Sequence, residues 1–402
     1  MSPSKAPYGT WASPISAESI TKGSIGIADI VVDRVTSEVY HIESRPLERE
    51  NHGAGIWWGP AIVHDGKAYF SHLKDGRVYQ VGVNDGADPE PVTPAEEEKL
   101  YRYACLEPYP GAPHLLVSVL EDHTTDLPSE IVTTLVIIDT TKKTIHPLVS
   151  GADFYAAPKF SPNGKRIAWV QWFHPDMPWE GGEVHIGDIV VGADGTLAIA
   201  NDTLIAGERE KTGAGYPAWA SDDRLIFTSD ESGFVNPWKF EDGKATPLLP
   251  ELSQKTLATL SGSYIIPRRD VIYIVDLAGG SPAKLIENPF VITESVHTVS
   301  RDRQEIVFAA QKIDEKDSVV RCSLTSLGGF EFNILKPALA VVADGTSLPS
   351  NIISTPQPIT LDVSGSPLHV VYYPPHNPDY SGSSIDGEKP PSSHPEGGLG
   401  ST

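Results

Sequence analysis

Cysteine is almost missing from this sequence. Its two thiols, Cys105 and Cys322, stand far apart and in no CxxC pattern. A disulfide-stapled scaffold is thereby excluded, and a reducing, cytoplasmic setting is expected. Positive charge is also short: 31 lysines and arginines face 53 aspartates and glutamates, a formal net charge of -22 at pH 7. Phosphate backbones and anionic lipid both need a positive field, so neither nucleic acid nor a membrane surface is expected as a partner. No apolar run approaches the roughly 20 residues of a spanning helix. The N-terminus "MSPSKAPYGTWASPISAESI" has no apolar stretch of the secretory kind. Helical periodicity is scarce, with only "PAEEEKLY" at 94–101 suited to a short helix. Metal-ligand spacing is missing as well. His174 and His185 have carboxylates between them but no helical spacing and no cysteine, and His72, His123, His146 and His297 are isolated. No metal and no cofactor are expected.

What the chain does have is turns and short strands. Its 402 residues carry 35 glycines and 35 prolines, the punctuation of a fold built from many hairpins. One hairpin pattern recurs: "PAIVHDGKAYFSHLKDGRVYQVGV" at Pro60, "PKFSPNGKRIAWVQWF" at Pro158, "PAWASDDRLIFTSDESGFVNPWKF" at Pro217, and a weaker copy, "TVSRDRQEIVFAAQ", near Thr298. Each joins an apolar strand, a polar turn and an alternating strand. Asp-Gly and Asn-Gly supply the positive φ of a tight turn, and alternation turns one strand face inward.

Further strands lie between the copies. Units fall near 25–58, 59–93, 101–150, 153–206, 214–250, 258–287 and 295–336. Short strands in groups of four, repeating over tens of residues, predict an all-β chain forming a β-propeller of about seven four-stranded blades. Six or eight blades stay open, and a β-sandwich or a pair of them is the competing architecture. The sixth unit is expected to be incomplete, because "SQKTLATLSGSYIIPRRD" between Phe240 and Tyr273 holds no hairpin turn of the repeating kind. Residues 1–24 read as an N-terminal arm and 25–353 as the propeller. Residues 381–402, rich in Ser, Pro and Gly, read as a disordered tail.

Several segments carry a family likeness. "APYGTWASPISAESI" at Ala6, "SPNGKRIAWVQW" at Ser161, "HPDMPWEGGEV" at His174 and "SDESGFVNPWKF" at Ser229 resemble the N-terminal propeller of the prolyl oligopeptidase family of serine peptidases. They are most similar to its acylaminoacyl-peptidase and dipeptidyl-peptidase-like branch. The likeness spans about residues 6–376; the joint occurrence of "HPDMPW", Glu183 and "GFVNPW" is its more specific part. In that family an α/β-hydrolase domain with a Ser-Asp-His triad follows the propeller. Residues 354–380 resemble the start of such a domain, but "KPPSSHPEGGLGST" then replaces the expected strand and His-Gly-Gly-Pro motif, and no GxSxG elbow occurs. No catalytic residue is therefore expected here, and the chain is expected to be inactive by itself.

Two loops supply the candidate binding residues. In the first, His174, Asp176, Trp179, Glu180 and Glu183, Trp179 would be an apolar contact and the glutamates acceptors for a cationic group such as a peptide amino terminus. The alternative is that the prolines and Trp179 stiffen a long hairpin loop. In the second, Asn236 would bond at a strand end and Trp238 wedge between blades; Trp57 and Trp58 would pack between blades or line a channel. The expected function is a non-catalytic, substrate-gating propeller admitting peptides to a hydrolase domain. The alternative is a stand-alone propeller that binds a protein partner.

Overall fold

In a computed structural model, the described residues are 3–13, 26–44, 61–72, 74–95, 100–125, 127–248, 272–274, 284–290, 292–299, 305–312, 317–325, 329–337, 354 and 357–390. They form an all-β propeller with five four-stranded antiparallel blades. These span residues 61–91, 101–149, 154–206, 214–247 and 292–336, each a simple meander of consecutive strands. Two further units, Gly26–Asp33 with Glu38–Ser44 and Ile272–Ile274 with Lys284–Ile286, are two-stranded. The expected count of about seven four-stranded blades thus becomes five among the described residues. The gap expected in the sixth unit, the Trp57-Trp58 pair and residues 96–99 of the expected short helix lie outside the described residues.

The blade strands are apolar on both faces because each blade is sandwiched between two others. In the 101–149 blade, Leu115, Val117, Val119, Leu135 and Ile137 join Ile167 and Trp169 of the next blade in one buried cluster. The alternate residues Leu116, Leu120, Val136 and Ile138 pack the other way, against Tyr69 and Val78 of the preceding blade. The same alternation puts Ala168 and Val170 against Leu225 and Phe227. In the last blade, Phe308 and Val320 face Ile272 and Ile286. Its other face closes the ring: Val299, Val307 and Val319 cluster with Ile30 of the first hairpin. Period-two geometry thus gives two burial faces from one continuous apolar run.

First strands of neighbouring blades pack on one another around the ring, which makes them the inner strands. Four of them carry a bulge at an equivalent place, with left-handed backbone at Cys105, Ala157, Tyr216 and Ser295 and register shifts beside them, whereas Ala61–His64 pairs in unbroken register. The extra residue bends each of these four strands locally and sharpens its twist.

A four-stranded meander puts its first and third turns on one face of the ring, here the turn face. The second loops and the blade-to-blade connections share the other, here the loop face. Strand Gly26–Asp33 starts on the loop face and Phe330–Lys336 ends there. On the turn face, Asp65-Gly66 and Asp242-Gly243 adopt the paired positive φ that a two-residue hairpin requires.

Two segments far apart in sequence meet. Ser4–Lys5 pairs in parallel with Tyr380–Gly382, and Trp11 stacks on Tyr380 at 5.2 Å. The Tyr8 N–H donates to Glu388 Oε2 at 3.1 Å, and Asn377 Nδ2 to the Ala12 carbonyl at 2.9 Å. Residues 381–390, the start of the segment expected as a disordered tail, lie beside this clasp, with Glu388 tied to Tyr8. Composition alone missed it, because the stabilising contacts come from the other end of the chain. The hairpin Gln357–Val363 with Ser366–Tyr372 stands between the propeller and the clasp in sequence.

Candidate functional site

The loop from His174 to Glu183 connects the second and third strands of the 154–206 blade, so it lies on the loop face. It contains a feature the sequence reading did not anticipate, a single helical turn at Pro178–Gly181. Proline stands at the first helical position, where its missing N–H costs nothing. Glu180 reaches back to accept the Met177 N–H at 3.0 Å, the return half of a capping box. "Met-Pro-x-Glu" was the available signal.

The carboxylates of this loop are engaged by the protein itself. Asp176 is buried and accepts the Glu210 N–H at 3.0 Å, tying the helical turn to the following blade connection. Glu183 accepts from Gln171 Nε2 at 3.3 Å and lies 3.5 Å from His185 Nε2. His185 stacks on Trp169, and its Nδ1 is 2.7 Å from Asp202. Gln171 also accepts from Trp169 Nε1 at 3.1 Å. Glu183 therefore belongs to a chain of polar contacts running across the blade. His174 is exposed; its N–H donates to Asp153 at 2.9 Å, and Arg209, which lies over the Phe173 ring, approaches its carbonyl.

Trp179 differs from these residues. It is 51% exposed, although its backbone is packed so closely on Gly213 that a Cβ there would sit 2.6 Å from the Trp179 carbonyl oxygen. A rigid backbone thus presents an open indole.

The second candidate loop lies beside the first. The Gly213 N–H donates to Asp230 at 2.8 Å, and a turn closes from the Gly233 N–H to the Asp230 carbonyl. Asn236 is buried at the start of strand Asn236–Glu241 and donates to Ser232 Oγ at 2.8 Å. Trp238 packs into the cluster shared by the 154–206 and 214–247 blades, and its buried Nε1 has no hydrogen-bond partner among the described residues. Both residues build structure. The exposed apolar residues of this loop, Phe234 and Val235, are not singled out by sequence; two apolar residues between Gly and Asn are the signal.

Exposed apolar side chains recur along this face: Leu127 and Val132 on one second loop, Met177 and Trp179 on the next, then Phe234 and Val235. Singly exposed apolar residues are ordinary; here six recur at the second loops of three consecutive blades. Among the described residues, no group of three or more His, Cys, Asp and Glu is placed to hold a metal ion. No helix among them is long and apolar enough to cross a membrane.

No protein family and no curated protein matches the chain. Solved structures do. It is similar to a puromycin-hydrolysing peptidase of Mycobacterium tuberculosis, at 24% identity and a TM-score of 0.72, with 96% of this chain and 64% of that one covered. A puromycin hydrolase gives 22% identity, the same TM-score, and 95% and 64% coverage. A prolyl endopeptidase described for its inter-domain dynamics gives 13% identity and a TM-score of 0.55, with 86% and 52% covered. The chain therefore spans about two thirds of the length of the puromycin-hydrolysing structures it matches. At these identities the likeness shows the fold alone, a β-propeller.

Proposed function

We propose that this chain is the non-catalytic propeller of an oligopeptidase-like serine hydrolase, and that its loop face is where the hydrolase domain and the incoming peptide meet. The observation that carries this reading is topological. The chain joins and leaves the ring on the loop face, which also presents Met177, Trp179, Phe234 and Val235. A domain continuing the chain from there would cover that apolar surface and stabilise itself by doing so. In this reading the two hairpins near 26–44 and 272–286 are parts of two further blades, completing a ring of seven. A narrow ring over an active site passes an extended peptide, rejects a folded protein and limits bulk water. Trp179 is the contact offered to the peptide or partner domain, while Asp176, Glu180 and Glu183 hold the loop in shape. The acylaminoacyl- and dipeptidyl-peptidase-like branch and a cytoplasmic setting belong to the same proposal.

Two measurements test it. The purified 402-residue chain should release no p-nitroaniline from aminoacyl- or dipeptidyl-p-nitroanilides; buffer-corrected turnover overturns the non-catalytic assignment. The dye 1-anilinonaphthalene-8-sulfonate should brighten on the chain and lose most of that signal in the Trp179→Asp/Phe234→Asp variant with folding intact. An unchanged signal refutes the loop face as the apolar contact surface.

A further inference from the structure

On the turn face, opposite the surface just discussed, the 61–91 and 101–149 blades leave between them a cleft of about 410 Å³. That volume lies within the range of small-molecule sites. Its floor includes the Tyr69 ring, which is buried. Turns and strand ends of both blades bring charges of both signs to its walls: Asp65, Lys67 and Glu90 from one, Lys143 from the other. Glu90 is oriented, because Gln80 Nε2 donates to its Oε1 at 2.5 Å. Its other oxygen is 3.8 Å from Lys143 Nζ, too far for a good hydrogen bond. Lys67 has no hydrogen-bond or ion-pair partner among the described residues.

These charges decide the ligand class. A simple anion would be drawn to Lys67 and Lys143 but would meet Asp65 and Glu90, and a simple cation would meet the lysines. A molecule carrying one charge of each sign satisfies both sets. We propose that this cleft binds short zwitterionic peptides, the carboxylate against Lys67 and Lys143 and the ammonium against Glu90 and Asp65. The site lies on the opposite face from the proposed hydrolase contact, so either assignment can fail without the other.

Isothermal titration of the full chain with triglycine, N-acetyl-triglycine and triglycine amide, each to about 10 mM so that millimolar Kd values are reached, tests this. Triglycine should bind, and each singly charged analogue should bind at least about tenfold more weakly. Glu90→Gln and Lys143→Ala should each weaken triglycine by a similar factor, with thermal midpoints unchanged. Lys211→Ala, on the loop face, should bind as the parent does. Failure of triglycine to bind, or equal binding of all three peptides, overturns the proposal. So does unaltered triglycine affinity in both cleft variants.

Discussion

Replacing Asp33 by alanine should loosen the junction between the first hairpin and the 61–91 blade. The carboxylate is fully buried, and it accepts the Val35 N–H at 2.9 Å within its own turn and the Gly66 N–H at 2.8 Å across the junction. A hydrogen bond to a charged group contributes about 1.5–3 kcal/mol. Two of them, discounted for water entering the vacated space, put the loss at about 2–4 kcal/mol, at the upper end for single substitutions. The acid dependence follows from the same contacts. Burial pushes the Asp33 carboxyl up, but the backbone N–H groups of Gly66, Val35 and Asp65 and the Thr36 side chain outweigh it and hold the group below its ordinary value. A carboxylate depressed on folding contributes above its unfolded value of about 3.9, and that contribution fades as the pH falls through the folded value. Urea unfolding followed by tryptophan fluorescence should therefore show a large loss for Asp33→Ala at neutral pH and a smaller one in acid. A change under about 0.5 kcal/mol at pH 7, or a loss that persists undiminished in acid, would refute the reasoning.

Other consequences are testable on the same protein. Gly213→Ala forces a Cβ against the Trp179 backbone and should destabilise by about 1–3 kcal/mol while changing the near-ultraviolet signal of Trp179; an unaltered spectrum and midpoint would contradict the packing. Burial pushes the Cys105 and Cys322 thiols up to about 11, so neither should react with a thiol reagent at pH 8 until urea is added. Burial, set against the nearby Asp29 and aided by Arg34 and Lys159, lowers His297 below its ordinary 6.5. The unfolded chain then takes up the proton first, so stability should fall as the pH drops below 6.5. His297→Gln should flatten that slope in midpoints measured from pH 7.5 to 5.

The hairpin turns made the blades legible. Asp65-Gly66 and Asn163-Gly164 stand where strands reverse, and the runs around Leu116 and Ile137 are long enough for strands buried on both sides. The single helical turn at Pro178–Gly181 was hidden because one turn shows no periodicity, leaving only its cap as a signal. The carboxylates were harder. Asp176 and Glu180 look like free acceptors in sequence, but each satisfies a backbone N–H, and Asp176 finds its donor 34 residues away at Glu210. Phe234 and Val235 were passed over because exposure depends on loop placement, which residue type does not report. The clasp between segments far apart in sequence was invisible, since parallel strands of two and three residues have no pattern.

That clasp gives synthesis a direction. The Ser4 hydroxyl donates to a carbonyl 375 positions further on, so residues 4–12 wait for their partners in 377–388 while every blade is made. Removing them at the gene level would release Tyr380 and Glu388, and the injury would surface at the opposite terminus from the cut.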